Sequence, residues 1–241
     1  MIEDLFVDDK INKIGVKLSG GADSSIIYYA LCQYYKNRPD VEIYPITVSF
    51  SWAPHYNYFA RRVARKVTEL TGKLYTTRIT AFVSHRNTSL RKYLELVVDE
   101  QEKQVERTIK EHGIQIVYSG ITANPDLSSL LSFIQQNKKK FNPSRMEELL
   151  ESVKQRDKER DDHSNRLSLQ TINGVIRNAP FINKDKKASY DAYKQYKVLN
   201  SLYPHTMSCE HLSINRPPDN QQHCGHCFFC LERLYAFGRL V

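Results

Sequence analysis

Along the first half of the chain, the spacing of apolar residues switches repeatedly between that of a strand and that of a helix. Ile14-Gly15-Val16-Lys17-Leu18 is a short apolar run that stops at Ser-Gly-Gly, the pattern of a buried strand ending in a turn. Beyond it Ile26, Ile27, Ala30, Leu31 and Tyr34 recur at helical spacing, which predicts a helix starting near Asp23. Val41 to Val48 is rich in β-branched residues and follows the turn Arg38-Pro39-Asp40, so a second strand is expected there. Phe59, Val63, Val67 and Leu70 form one apolar stripe, with Arg61, Arg62, Arg65 and Lys66 facing away and Gly72 closing the helix. A third strand is expected over Lys73 to Thr80, and a long helix from Ser89 to His112 with Leu90, Leu94 and Val97 on one face. Ile114 to Tyr118 reads as a fourth strand running into Ser119-Gly120. Strands alternating with helices predict an α/β fold, a parallel sheet between helical layers that binds its ligand at the carboxyl ends of the strands.

The second half is less regular. Asn137 to Arg166 carries Lys138-Lys139-Lys140 and a mixed-charge run from Lys154 to Asp162, which predicts a solvated helix or mobile insertion ahead of a nucleic-acid contact. Pro204 to Val241 reads as loop-rich and holds four of the five cysteines. Residues 1–205 are therefore expected to form the α/β domain, with an insertion at about 137–166, and residues 206–241 an element packed on it.

Composition narrows the setting. With 241 residues, 41% hydrophobic and 26% charged, the chain can bury a core without disulfide staples. No apolar run approaches the roughly 18 residues of a membrane span. The start carries Glu3, Asp4, Asp8 and Asp9, unlike a signal or transit peptide, so a cytoplasmic protein with no membrane partner is expected. The formal charge of +8 is spread along the chain and interleaved with acidic residues. Such a surface suits anionic small molecules and does not require nucleic acid.

Ser19-Gly20-Gly21-Ala22-Asp23-Ser24-Ser25 sits between the first predicted strand and helix. Glycines let successive backbone N–H groups converge on an anion, the helix start adds a favourable dipole, and Ser19, Ser24 and Ser25 supply hydroxyls. Asp23 is out of place beside phosphates unless it serves a Mg²⁺ ion, directly or through water. The Gly-Lys-Ser/Thr ending of the Walker loop is missing.

Cys209, Cys224, Cys227 and Cys230 read C-x14-C-x2-C-x2-C. The short steps aim thiolates at one point and Cys209 completes a tetrahedron, which favours a structural Zn²⁺ over a [4Fe–4S] cluster or disulfides. His211, His223 and His226 lie near but are not needed. Cys32, within the first predicted helix, reads as a buried small hydrophobe.

The Ser19–Ser25 segment closely resembles the SGGxDSS signature of the PP-loop ATP pyrophosphatase superfamily. That resemblance implies a Rossmann-like fold of the adenine nucleotide alpha hydrolase type, ATP as cosubstrate, pyrophosphate release, and adenine near Thr47 to Ser51. Together with Ser208-Cys209 and Cys224-Gly225-His226-Cys227-Phe228-Phe229-Cys230, followed by Leu231 and Arg233, it is similar to the 7-cyano-7-deazaguanine synthases. Gly120 to Asp126 and Pro180 to Lys186 agree more weakly with that family. The resemblance implies conversion of 7-carboxy-7-deazaguanine and ammonia to the nitrile with ATP, Mg²⁺ and a zinc site. Asp23 and Lys186 would serve at the phosphates, and a homodimer is compatible with it.

The family's Tyr-Pro-Asp-Cys-Arg stretch is replaced here by Asn124-Pro125-Asp126-Leu127-Ser128, which leaves the acceptor carboxylate and the amide or nitrile product open. Two alternatives remain. One is a PP-loop tRNA thiolase, which would want a cysteine near the nucleotide. The other is a nucleic-acid or partner-binding module using Phe228, Phe229, Arg233, Tyr235 and Arg239, residues that read more simply as packing of the tail.

Overall fold

The computed structural model describes residues 10–50, 55–75, 78–83, 90–158, 167–209 and 221–241. The acidic start, Ser51, residues 76–77, Ser89, residues 159–166 of the charged insertion and His211 lie outside them, as do the side chains of Leu90, Leu94 and Val97.

The fold is α/β, built on a six-stranded sheet in the order β3-β2-β1-β4-β6-β5. Its strands are β1 (Lys13–Lys17), β2 (Glu42–Phe50), β3 (Ile79–Val83), β4 (Ile116–Ser119), β5 (Leu169–Ile172) and β6 (Val175–Asn178). All neighbours run parallel except β5 with β6. The chain grows outward from β1 through α1 (Ala22–Tyr34), β2 and α2 (His55–Thr71) to β3, then returns through α3 (Leu90–His112) to β4 on the other side of β1. Right-handed crossovers place α1 and α2 on one face and, because the direction reverses, α3 on the other. The packing agrees. Ile14, Val16, Ile116 and Tyr118 face α1, whereas Tyr44, Ile46 and Val117 share a cluster with Val105 of α3. The reversal opens a crevice between the carboxyl ends of β1 and β4, where such sheets bind ligands.

The structure corrects several expectations. The third strand lies at Ile79–Val83 rather than starting at Lys73. Lys73 is instead buried, and its amine donates 2.5 Å to the Arg38 carbonyl. The charged insertion contains α5 (Met146–Lys158), whose Leu149 and Val153 are buried with Phe141 against α4 (Leu127–Gln136) and α7 (Phe228–Phe237). It is a half-buried layer, because every third or fourth residue of a charged sequence is enough to supply an apolar stripe. The tail contains α7 where loop was expected, with Ala236 and Phe237 in the main core. Among the described residues, no helix is long and apolar enough to cross a membrane.

Candidate functional site

The Ser19–Ser25 segment forms the turn from β1 into α1. Gly20 carries φ of +82°, and a Cβ there would lie 2.6 Å from the Phe59 Cβ and 2.7 Å from the Ala60 nitrogen. The turn therefore rests directly on α2. Gly120, just after β4, comes closer still, since a Cβ would lie 2.4 Å from the Ser24 nitrogen. Gly120→Ala must push the β4 loop away from α1. A loss of about 1–3 kcal/mol, the usual cost of overpacking, is expected in a denaturant titration.

The serines build the turn from within. Ser25 Oγ donates to the Gly21 carbonyl at 2.6 Å, and Ser24 Oγ accepts from the Ser19 nitrogen at 3.3 Å. Ser19 Oγ lies 3.2 Å from Ser24 Oγ and accepts from the Gly21 nitrogen at 3.2 Å. Gly21 is the N-cap of α1 and provides no side-chain cap. The helix start thus keeps unsatisfied N–H groups that favour an anion.

Asp23 and Lys186 meet, although 163 residues separate them. Asp185 caps α6 (Lys186–Gln195) by accepting from the Lys187 nitrogen at 2.9 Å, which places Lys186 at the first helical position. Its Nζ lies 2.5 Å from Asp23 Oδ2, while Ser189 Oγ donates to Asp23 Oδ1 at 2.7 Å. Glu232 of α7 approaches the same amine at 3.7 Å. Burial works against the charge on Lys186, but Asp23 and Glu232 outweigh it and raise its pKa. The Asp23 carboxylate, expected to serve a Mg²⁺ ion, already holds a lysine and a serine.

The neighbour in sequence, Arg233, is wholly buried. It lies 4.3 Å over the Tyr203 ring and donates to Thr206 Oγ1 at 3.1 Å and Ser208 Oγ at 3.2 Å. Arg233 and Phe228 are therefore buried, in keeping with their reading as packing residues. Glu232 escaped the sequence reading. Its only signal was an acid next to an arginine inside the apolar stretch Phe-Phe-Cys-Leu-Glu-Arg-Leu-Tyr-Ala-Phe.

Cys209, Cys224, Cys227 and Cys230 come together, with all four sulfurs within 4.8 Å of one another. Cys227 is the N-cap of α7 and Cys230 lies in its first turn, so the helix start favours thiolate charge. Phe59 and Met207 pack against the cluster. His226 turns away, its Nδ1 2.8 Å from the Cys224 carbonyl and its Nε2 3.8 Å from Glu148. The segment from Thr206 to Cys209 joins the two centres, since the Met207 nitrogen donates to the Gly20 carbonyl at 2.9 Å. Cys32 is fully buried, and burial pushes its thiol up to about 12.

Near the end of β2, Thr47 Oγ1 donates to the Leu18 carbonyl at 2.9 Å, and the buried Ser49 hydroxyl has no partner among the described residues. Asp126 caps α4, accepting from the Ser129 nitrogen at 2.9 Å.

No protein-family model matches the sequence, and no curated protein matches it. Among solved structures, the chain is similar to a U34-tRNA thiolase, NcsA, from Methanococcus maripaludis with its [4Fe–4S] cluster, at 16% identity and a TM-score of 0.45. The match covers 86% of this chain and 63% of that one, so the chain spans less than two thirds of the length of this structural relative.

Proposed function

We propose that the chain is an ATP-dependent carbon–nitrogen ligase of the PP-loop superfamily. It would convert 7-carboxy-7-deazaguanine and ammonia to 7-cyano-7-deazaguanine through adenylation of the carboxylate. One observation carries the reading. Asp23 of the Ser19–Ser25 turn and Glu232 of the cysteine-anchored α7 converge on Lys186 of α6.

One feature fits a triphosphate there: the start of α1 has no side-chain cap and leaves its first N–H groups for an anion. Mg²⁺ would be held mainly by phosphate oxygens with Asp23 as the carboxylate of the turn, and it supplies positive charge. Lys186 keeps its own positive charge at neutral pH and stabilises the charge that develops on the departing pyrophosphate. Asp23, Ser189 and Glu232 fix its position, so little reorganisation is needed during reaction.

Adenylation makes one carboxylate oxygen part of AMP. Ammonia then forms the C–N bond, the C–O bond to AMP breaks, and the amide loses a proton. A second adenylation, on the amide oxygen, lets that oxygen leave on another AMP. Loss of the two remaining N–H protons gives the nitrile.

The cysteine geometry supports zinc. A Zn–S distance of about 2.3 Å sets tetrahedral sulfurs about 3.8 Å apart, and Cys224 and Cys230 are 3.8 Å apart. A four-iron cluster bonds each thiolate to a different iron and spreads them farther. Four cysteine ligands leave zinc no open position, so its contribution is to hold α7 in place.

The thiolase alternative wants a cysteine nucleophile beside the nucleotide, whereas Cys32 is buried with a thiol near 12 and the other four cysteines face one another. Cys32→Ser is accordingly expected to keep full ligase turnover, measured as AMP release, and a loss above about tenfold would favour sulfur transfer. The direct test supplies Mg²⁺-ATP, ammonium and 7-carboxy-7-deazaguanine, with mass spectrometry of the base and AMP. Nitrile formation that disappears in Asp23→Asn supports the reading. An accumulating amide keeps the adenylation but shortens the reaction. AMP without a changed base points to another acceptor, and no AMP overturns the assignment.

A further inference from the structure

We infer that a basic groove along the outer side of α2 binds the phosphodiester backbone of a nucleic-acid strand. The groove has a volume of about 420 Å³, with Arg61, Arg62, Arg65 and Lys66 on one wall and His205 on the other. These cations form two i,i+4 pairs, Arg61 with Arg65 and Arg62 with Lys66, an arrangement of like charges that weakens an isolated helix. Among the described lining residues, Glu69 is the one carboxylate, and it pairs with Lys66 at 3.0 Å. The helix therefore carries a local excess of positive charge that an anion would offset.

Part of the groove is already organised. Arg62 Nε donates to His205 Nδ1 at 3.2 Å, and its terminal nitrogen donates to the Pro204 carbonyl at 3.2 Å. With Nδ1 accepting, the His205 proton sits on Nε2 and remains available as a donor. Burial, Arg62 and Lys66 all lower the His205 pKa, and Glu69 raises it less, so the ring stays neutral at pH 7.

The shape favours a strand over a single phosphate. From residue 61 to 66 the cations extend about 7.5 Å along the helix axis, rather than converging on one point. Tyr58, half-buried in the groove, is held edge-on to Phe59 with centroids 5.2 Å apart, and offers a ring on which a base can stack. The groove lies close to the candidate site. Phe59 and Ala60 touch Gly20 from the same helix, and Tyr58 packs beside the cysteine cluster. The inference does not rest on the ligase reading, whose small substrates make no use of this face.

The test is fluorescence anisotropy of a labelled single-stranded RNA with the full zinc-loaded chain over a range of salt. Arg61→Ala with Arg65→Ala is expected to weaken binding about tenfold or more and, at about 0.7 per lost phosphate contact, to flatten the log–log salt slope by about 1.4. An unchanged melting temperature in that variant shows that it folds. Tyr58→Ala should weaken RNA but leave inorganic polyphosphate unaffected. Equal binding of single-stranded DNA supports recognition of the backbone. RNA affinity unchanged in the double arginine variant would overturn the inference. So would polyphosphate binding as tightly as RNA with no effect of Tyr58, or a preference for anionic lipid vesicles.

Discussion

Cys230→Ser is expected to lower the melting midpoint by about 10 °C or more and to abolish nucleotide binding together with it. Structural zinc sites hold apparent binding energies of about 10–16 kcal/mol at neutral pH, and each 1 kcal/mol moves the midpoint of a domain of this size by about 2–4 °C. The effect should extend well beyond the tail. Cys230 lies in the first turn of α7, the helix that carries Glu232 to Lys186 and Arg233 to Thr206 and Ser208. Its far end places Phe237 flat against Tyr203, with ring centroids 4.1 Å apart. Differential scanning fluorimetry and isothermal titration with ATP, before and after chelation, would read both losses. A chelated protein that melts unchanged and still binds ATP would show that α7 holds its place without metal.

Lys186→Met carries the second large effect. The side chain is only 3% exposed and has carboxylates on two sides, 13% and 4% exposed. Removing the cation leaves Asp23 and Glu232 buried without their partner, a change that costs about 3–5 kcal/mol in comparable sites. Turnover should fall by about 10²–10³, mainly in kcat, if the charge acts as proposed on the leaving pyrophosphate rather than on substrate binding. The pH dependence has a defined sign. A pKa raised above the ordinary 10.5 means that the contribution is complete below that value and is lost as pH rises through the higher folded pKa. Wild type should therefore lose stability in the alkaline range above about 10.5, and Lys186→Met should lack that component. Identical alkaline melting curves for the two proteins would contradict the ion-pair account.

The sequence carried the alternating first half of the fold because those elements have clean periods. The apolar stripe of α2 announces one buried face, and the continuous apolar runs at β1 and β2 announce strands covered on both. The four-cysteine cluster was legible for a similar reason, since short C-x2-C steps leave the chain few ways to place the thiols. Other elements were hidden by competing signals. Ile172-Asn173-Gly174-Val175 is a tight hairpin with φ of 52° and 77° at its centre, but it follows a highly charged stretch and its outer strand is exposed. Leu127, Leu130 and Ile134 have helical spacing behind the cap Asp126, a segment to which the sequence reading assigned no element. The tail looked like loop because α7 is buried nearly all round and so lacks a polar face. Asp23 was legible as an anomaly beside phosphates, yet its partners come from residues more than 160 positions away. That contact depends on α6 docking against the start of α1, which no local pattern encodes.

The most direct test of carboxylate adenylation follows the oxygen atoms. The 7-carboxy-7-deazaguanine substrate would be labelled with ¹⁸O in its carboxylate and turned over with Mg²⁺-ATP and ammonium, and the AMP examined by mass spectrometry. Adenylation predicts that ¹⁸O appears in AMP, one atom for each C–O bond broken, and that the transfer disappears with Lys186→Met. AMP formed at the same rate without the label would mean that the carboxylate never attacked the nucleotide, and the proposed chemistry would be wrong.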